Sequence, residues 1–396
     1  MSGIKELILE KSVGLKEEVI SLRRHFHRYP ELSYEELDTS DYICEWLEQN
    51  EIEYKNKIAG TAIIGKITGL ARGCKVIAVR AEMDALPITE RKKNEYSSLN
   101  PGKMHACGHD SHMAMLMGAA KLLNGMRDQF GGTVLLIFQP GEEKNPGGAR
   151  LVIESGELSN PKPDIIIAQH ILPELETGKV GYKSGRYMAS CDEIYITVSG
   201  KGGHAALPAL TTDQIYIASS LVVRLKDRMK AQQTANRIPT VLGIGRISGE
   251  GATNVIPEKV YISGTFRTFD EKWRSEALEL VRMVSAETAL EFRVDIAVNI
   301  SEGYPVLVND DNLTSRAMQM SEELLGRDKI ETFENRMSSD DFSFYSALAP
   351  SLYYRIGIRK KNGEMLKLHT ADFDIDEDGM ETGVANLSWL VYNFLL

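Results

Sequence analysis

Three histidines, a cysteine and an aspartate lie close together between Met104 and His112. Imidazole and thiolate are the ligands that zinc and similar transition metals prefer, whereas calcium and magnesium prefer oxygen. The cluster precedes an almost wholly apolar helical pattern, so it lies at the beginning of a buried helix whose N-terminal amides favour an anion. We therefore expect a transition-metal site. The alternative is a loop whose histidines only cap the helix.

A pair of carboxylates, Glu142 and Glu143, follows the apolar run 133–138 through a Pro-Gly turn. Two adjacent carboxylates can take different roles in one site. If Glu143 binds metal, Glu142 can stay outside the coordination sphere, take a proton from a metal-activated water and return it to a leaving amine. Most Glu pairs are solvated on the surface, but the buried strand before this one favours the functional interpretation.

Three apolar, β-branched runs end in polar side chains that could join the same site. The runs and the residues that follow them are 75–81 with Glu82 and Asp84, 133–138 with Glu142 and Glu143, and 164–168 with His170. Alternating with helical patterns, they predict an α/β fold with a mostly parallel sheet buried by helices on both faces. Because ligands bind at the carboxyl ends of such strands, we expect these residues and the loop of Cys107 and His109 to share one edge.

The pattern changes near residue 185. Strands and helices in the order β-α-β-β-α-β predict a small two-layer α+β domain, with helices on one face of an antiparallel sheet. Alternating α/β character resumes afterwards. We therefore expect residues 185–299 to form an inserted domain, and residues 1–184 and 300–396 to form the single domain that it interrupts.

Near the N-terminus, residues 15–28 predict a helix that Pro30 ends. Ser33 and Glu36 have the spacing of a capping box that opens the second helix. His25 and His27, at the end of the first helix, are expected to be structural, because basic side chains complement the helix dipole there.

Two motifs are discounted. The segment that begins at Asp374 resembles a calcium loop, but its twelfth position is Ala385, where a bidentate Glu is required. The glycine-rich segment 200–203 lacks the spacing of a phosphate loop, and we interpret it as a flexible loop that presents His204.

The composition is that of a globular protein, with 43% hydrophobic and 26% charged residues. A net charge of -10 disfavours nucleic acid and anionic membranes as partners. The sequence shows no signal peptide and no apolar stretch of about 18 residues. Four scattered cysteines favour reduced thiols. We therefore expect a cytoplasmic enzyme.

Several motifs follow one another along nearly the whole chain: RAEMDALP, HACGHD, the GEE turn, His170 after its strand, GKGGHAALP, NVIP and LHTADF. In this order they resemble the aminoacylase and carboxypeptidase superfamily of co-catalytic metallohydrolases. More narrowly, they resemble its branch of N-acyl-amino-acid, hippurate and auxin-conjugate amidohydrolases. The resemblance implies a metal-dependent amidohydrolase that cleaves the amide bond of small N-acetyl or N-benzoyl amino acids.

The resemblance also implies that residues 185–299 are a lid and dimerisation domain and that residues 1–184 and 300–396 are the catalytic domain. It further implies two divalent ions (zinc, manganese, cobalt or nickel) and a homodimer, or a dimer of dimers, formed through the lid. The implied metal ligands are Cys107 as a bridge, His109, Glu143, His170 and His369. Glu142 is the implied general base, and His204 is a lid residue that reaches an active site, often across the dimer. We expect Asp84 to orient a ligand, and Asn254 and Arg267 are candidates for binding the substrate carboxylate.

The sequence departs from the wider superfamily at Glu82, where a metal-binding histidine is usual and the branch has Asp. Glu82, His105 and His112 receive no ligand role. One alternative is a dipeptidase or aminopeptidase of the same fold, which would need an acidic anchor in the lid for the free amine, and none is identified. Another is an inert binder of acyl amino acids or a metal-storage protein, against which the intact Glu142 argues.

Overall fold

The computed structural model describes residues 2–396, which divide into two compact units. The first comprises the chain up to Tyr187, together with Val308–Glu334 and Asp341–Leu396. The second comprises Met188–Leu307 and Asn335–Asp340. None of the helices in the described part of the chain combines the length and apolar character needed to cross a bilayer.

The first unit contains most of the helices and strands. Before the second unit these are α1 (Ser2–Arg28), α2 (Leu37–Gln49), β1 (Glu53–Ile58), β2 (Ala62–Thr68), β3 (Ala71–Glu82), α3 (His109–Asn124), β4 (Gly131–Gln139), α4 (Gly148–Glu154), β5 (Ile165–Glu176), β6 (Val180–Tyr182) and β7 (Gly185–Met188), whose last residue begins the second unit. After it come β14 (Leu307–Asn309), whose first residue ends the second unit, α7 (Asp311–Leu325), β15 (Ile330–Thr332), α8 (Ser343–Leu348), β16 (Ser351–Arg359) and α9 (Gly379–Leu395).

Eight strands form the central sheet, in the order β1-β2-β4-β3-β5-β16-β6-β15. The middle strands β4, β3, β5 and β16 are parallel to one another, while β1, β2 and β4 pair antiparallel, as do β16 and β6. Strands β4 and β16 are buried along nearly their whole length, which requires cover on both faces. Helices α1, α3 and α9 contribute to the hydrophobic core with these strands. The predicted α/β class is confirmed.

Helix α1 ends at Arg28, before Pro30, as predicted, but it begins at Ser2 rather than near residue 15. The predicted capping box is wrong. Glu36 precedes α2 without a capping hydrogen bond from its side chain, and the carboxylate of Glu31 accepts the amides of Asp38 (3.2 Å) and Thr39 (2.8 Å) instead. Ser33 and Glu36 bond to more distant parts of the chain, described below.

The second unit is a two-layer α+β structure, as expected. Its elements are β8 (Asp192–Ser199), β9 (Gly203–His204), α5 (Gln214–Asn236), β10 (Thr240–Ser248), β11 (Val255–Ile256), β12 (Lys259–Thr268), α6 (Glu271–Phe292) and β13 (Asp295–Glu302). Strands β10, β12, β8 and β13 form an antiparallel sheet in that order. The aspartates Asp213 and Asp270 cap α5 and α6 by accepting backbone amides, and both helices share a core with the sheet.

Candidate metal centre

The polar residues at the ends of the strands of the first unit come from three segments. Glu82 is the last residue of β3 and Asp84 follows it, Glu142 and Glu143 follow β4, and His170 lies within β5. Gly108 lies between Cys107 and His109 with a φ of +85°, and an added Cβ there would lie 2.3 Å from Cδ1 of Ile171. Glycine at this position therefore allows a tight turn of the backbone. The turn brings Cys107 and His109, the first residue of α3, to the same cluster of polar residues.

All five predicted ligands lie together in the first unit. The Sγ atom of Cys107 is 3.3 Å from Nε2 of His369 and 3.6 Å from Nε2 of His170. Nε2 of His369 is 3.1 Å from Oε1 of Glu143. The ligand atoms of His109, Glu142 and Glu143 lie within 4.8 Å of one another. The cluster of sulfur, imidazole nitrogen and carboxylate oxygen predicted from the motifs is thus present in three dimensions.

The imidazoles of His109 and His170 are held in the same tautomer. Nδ1 of His109 donates to the carbonyl oxygen of Asp84 (2.8 Å), and Nδ1 of His170 donates to that of Ile171 (2.7 Å). In the neutral rings Nδ1 therefore carries the proton, and Nε2 is the nitrogen whose lone pair is available to a metal ion. Nε2 of His109 is buried and makes no hydrogen bond to any residue that the structure describes. A buried nitrogen without a partner, beside thiol and carboxylate groups, fits a transition-metal ligand.

The electrostatics of the cluster depend strongly on burial. Burial, with the negative charges of Glu143 and Glu142, raises the pKa of the Cys107 thiol well above its ordinary value. Burial alone would lower the pKa of His109, but the hydrogen bond to Asp84 and the charges of Glu82 and Asp84 raise it to about 10. The protein therefore concentrates negative charge around these groups, and a divalent cation would balance that charge while holding the sulfur as thiolate.

Asp84 connects two members of the cluster. Its Oδ2 atom accepts hydrogen bonds from Oγ of Ser33 (2.7 Å) and from the backbone amide of Glu143 (2.9 Å). Its Oδ1 atom lies 3.2 Å from Nδ1 of His109. Although burial raises the pKa of Asp84, its hydrogen bonds and the neighbouring His109 lower it overall, so the carboxylate is charged at neutral pH.

Glu82 and His112, which have no ligand role in the family resemblance, lie beside the cluster. One polar atom of each lies within 4.8 Å of a ring nitrogen of His109 and of His170. Nδ1 of His112 donates to Glu82 (2.8 Å), and its Nε2 accepts the amide of Ile171 (3.0 Å). Both nitrogens of His112 are thus used within the protein, unlike those of His109. His112 therefore connects the end of β3 to β5 rather than offering a free lone pair.

Sequence reasoning missed Arg80, which is buried in β3 and forms ion pairs with Glu82 and Asp341. The signal was available, because an arginine inside an otherwise apolar strand requires buried acidic partners. Which acids it pairs with could not be read from the sequence, since Asp341 is distant along the chain. His105 is also buried, and neither of its nitrogens has a hydrogen-bond partner among the described residues.

The other predicted residues belong to the second unit. His204 is exposed in β9, where it pairs with Val255 of β11, and its Nδ1 accepts the amide of Ala206 (3.1 Å). The carbonyl oxygen of Asn254 accepts the amide of Ala205 (2.9 Å). Arg267, in β12, donates to the carbonyl oxygen of Met337 (2.9 Å) and to Oγ of Ser339 (3.2 Å).

Residues 78–393 match the pattern of peptidase family M20/M25/M40, and this match covers well over half of the chain. The chain belongs to peptidase family M20/M25/M40. This membership confirms the resemblance inferred from the motifs of the sequence. Members of the family are metal-dependent hydrolases, and this chain is therefore a metal-dependent enzyme that hydrolyses amide bonds.

Relatives within the family are similar over nearly the whole length. The chain is 35% identical to IAA-amino acid hydrolase ILR1-like 4 of Arabidopsis thaliana, over 99% of this chain and 89% of that protein. It is 35% identical to N-acetyl-L-cysteine deacetylase of Bacillus subtilis, over 96% and 87% respectively. Among solved structures, the YXEP protein of Bacillus subtilis, a dinuclear metal-binding peptidase from the M20 family, is 31% identical with a TM-score of 0.80, over 96% of this chain and 99% of that one.

Proposed function

We propose that this member of the M20/M25/M40 family hydrolyses the amide bond of small N-acyl amino acids. One observation carries the proposal: Glu142, a buried carboxylate, lies 4.0 Å from the unpartnered Nε2 of His109 and next to Glu143. A carboxylate beside a ligand set, rather than within it, is placed to transfer protons. The similarity to an N-acetyl-L-cysteine deacetylase and to an IAA-amino acid hydrolase supports an acylated amino acid as substrate.

The ligand set that we propose comprises Cys107 as the bridge, His109, Glu143, His170 and His369. These residues would hold two divalent ions, for which zinc, manganese, cobalt and nickel are the candidates because the donors are sulfur, nitrogen and oxygen. When bound, such ions polarise the scissile carbonyl and lower the pKa of a water. We propose that Asp84 orients His109 and the backbone of Glu143 through its two oxygens.

The protein groups perform the proton transfers in this proposal. Glu142 accepts a proton from the attacking water and delivers it to the leaving nitrogen, which departs as the amine of the amino acid. His204 donates a hydrogen bond to the oxygen that becomes negative at the scissile carbon. Arg267 and Asn254 bind the carboxylate of the amino acid. Arg267 also lines a cavity of about 470 Å³ in the second unit.

We further propose that the second unit, approximately residues 185–299, acts as the lid and as the surface of a homodimer. Its glycine-rich approach to the exposed His204 supports movement of that histidine. The four cysteines form no disulfide, which supports a reducing compartment such as the cytoplasm.

A panel of acetyl-, benzoyl- and longer-chain acyl amino acids, assayed with zinc, manganese, cobalt and nickel, tests the proposed substrate class. Unblocked dipeptides serve as the comparison. We expect hydrolysis of acyl amino acids to be faster than hydrolysis of dipeptides, because the chain is similar to an IAA-amino acid hydrolase and to an N-acetyl-L-cysteine deacetylase. Faster cleavage of dipeptides would contradict the proposed substrate class and leave the metal site unaffected.

A further inference from the structure

We propose that Tyr34 and Glu36 are positioning residues that fix the turn carrying Glu142 and Glu143. Neither belongs to the proposed ligand set. The inference rests on the proposed roles of Glu142 and Glu143 and extends the active site to a loop that follows α1.

The turn that carries the two glutamates has no helix or strand of its own between β4 and α4. It is closed by a hydrogen bond from the amide of Gly148 to the carbonyl oxygen of Gly141 (3.1 Å). A further bond joins the amide of Gly147 to the carbonyl oxygen of Lys144 (3.1 Å). Because so few backbone bonds hold this turn, contacts from elsewhere in the chain must decide where its carboxylates point.

Tyr34 provides the first of these contacts. Its ring lies directly against Gly141, where an added Cβ would lie 2.2 Å from Cε1 of the ring. Its hydroxyl donates to the carbonyl oxygen of Lys144 (2.6 Å) and accepts from the amide of Gly147 (3.1 Å). Tyr34 itself has a φ of 70°, a backbone conformation that residues other than glycine rarely adopt. The chain therefore holds a strained residue in the position from which it spans the turn.

Glu36 provides the second contact, on the backbone just before Glu142. Its Oε1 atom accepts the amide of Gly141 (2.8 Å), and its Oε2 atom accepts the hydroxyl of Thr61 (2.9 Å). Glu36 and Gly141 are both buried, so water cannot replace the carboxylate as acceptor. The amide of Gly141 is thus held by Oε1 of Glu36, while Oε2 makes a separate contact with Thr61, just before β2.

The contacts of Ser33 and Glu36 replace the helix cap that their spacing in the sequence predicts. Ser33 and Glu36 have the spacing of a capping box, yet Ser33 bonds to Asp84 (2.7 Å) and Glu36 bonds to Gly141. Asp84 in turn accepts the amide of Glu143 (2.9 Å). The loop therefore reaches the turn at Gly141 and, through Asp84, at Glu143. Two side chains that could cap a helix therefore reach the backbone on either side of Glu142. Glu36 does so directly at Gly141, and Ser33 does so through Asp84 at Glu143.

The test compares four variants under saturating metal, with kcat, KM, metal content and Tm measured for each. Glu36→Leu removes the acceptor for Gly141, and we expect kcat to fall by roughly ten- to a hundredfold, the effect of a displacement of about 1 Å at a catalytic group, with KM and metal content nearly unchanged. Glu36→Gln should recover most of this loss, because its amide oxygen can accept the same N–H. Tyr34→Phe should lower kcat by roughly three- to tenfold.

Thr61→Val is the matched control. It removes the other hydrogen bond of Glu36 and leaves the bond to Gly141, so we expect a kcat near that of the wild type even if Tm falls. If Thr61→Val lost as much kcat as Glu36→Leu, or if Glu36→Gln were as slow as Glu36→Leu, Glu36 would be structural only, and the inference would be overturned. Should Glu36→Leu fail to fold, Tyr34→Phe decides: an unchanged kcat there overturns the inference.

Glu142→Gln, assayed in the same series, separates this inference from the proposed function. An active Glu142→Gln variant would contradict the proposed general base itself. An inactive Glu142→Gln variant together with normal kcat in Glu36→Leu and Tyr34→Phe would contradict only the positioning role.

Discussion

Oδ2 of Asp84 accepts a 2.9 Å hydrogen bond from the backbone amide of Glu143. One carboxylate thereby fixes the backbone of a proposed ligand, while its other oxygen lies 3.2 Å from the ring of His109. Two proposed ligands that come from different parts of the chain, the turn after β4 and the start of α3, thus contact the same carboxylate. We therefore expect the geometry of the site to depend on the charge of Asp84 as well as on its shape.

Replacing Asp84 with Asn tests this dependence. The amide preserves the volume but removes the negative charge, so we expect metal affinity to fall by roughly ten- to a hundredfold, the usual effect of losing a group that orients a ligand. Competition with a chelator measures the affinity. Asp164→Asn is the matched control, because Asp164 also accepts a backbone amide, that of Val76, outside the cluster. Equal affinity in Asp84→Asn and the wild type would show that its charge does not matter.

Metal binding should release protons. Burial and the neighbouring glutamates raise the pKa of Cys107, and the pKa of His109 is raised to about 10, so both groups carry protons near pH 7.5 before metal binds. Each must lose its proton to become a ligand, and we expect release of about two protons and an affinity that rises with pH. Calorimetric titration in buffers of different ionisation enthalpy counts the protons. A heat that does not depend on the buffer would contradict the proposed state of these two groups.

Glu36 should make stability depend on pH. Burial, with the charge of Asp84, raises its pKa from 4.5 to about 7, so its protonated form is favoured in the folded protein. Its contribution is therefore fully present below pH 4.5 and is lost as the pH rises through 7. In Glu36→Gln, which cannot ionise, the free energy of unfolding relative to the wild type should increase between pH 5 and pH 8, by about 3 kcal/mol at most.

Denaturant unfolding at several pH values measures this difference. Thr61→Val keeps the carboxyl group of Glu36 and should retain the pH dependence of the wild type. A constant difference between Glu36→Gln and the wild type from pH 5 to pH 8 would show that Glu36 does not titrate in this range.

Replacing His204 with Ala should lower kcat by roughly two to three decades, the range for one lost donor to the developing oxyanion, with little change in metal content. If the lid acts across a dimer, mixing inactive His204→Ala and Glu142→Ala subunits should restore part of the activity, because one site of the hybrid has both wild-type groups. Full activity in His204→Ala would exclude the catalytic role. Confirmed hybrids without activity would confine that role to one chain.

The proximity of several polar residues was predictable from their types and from the elements that they follow, whereas the full ligand set, with His170 and His369, is implied by the family resemblance. Cys107, His109 and Glu143 lie beside an apolar helix or after an apolar strand, and such patterns are local in the sequence. The capping box failed for the opposite reason: Ser33 and Glu36 satisfy a local rule, but more distant partners compete successfully for their oxygens.

The full extent of the second unit was also hidden from the sequence. The short segment Asn335–Asp340 belongs to the second unit although the chain on both sides of it belongs to the first. No change of composition or periodicity marks this segment, because the contacts that assign it, such as that between Arg267 and the carbonyl oxygen of Met337, join residues far apart in the chain.

The most direct test of the account compares Glu142→Ala with Glu143→Ala by metal analysis and single-substrate kinetics. We expect Glu142→Ala to keep its metal ions while its rate falls by roughly two to four decades, as for lost acid-base catalysis. We expect Glu143→Ala to lose metal. Loss of metal from Glu142→Ala with retention in Glu143→Ala would reverse the two roles, and an active Glu142→Ala enzyme would contradict the proposed chemistry.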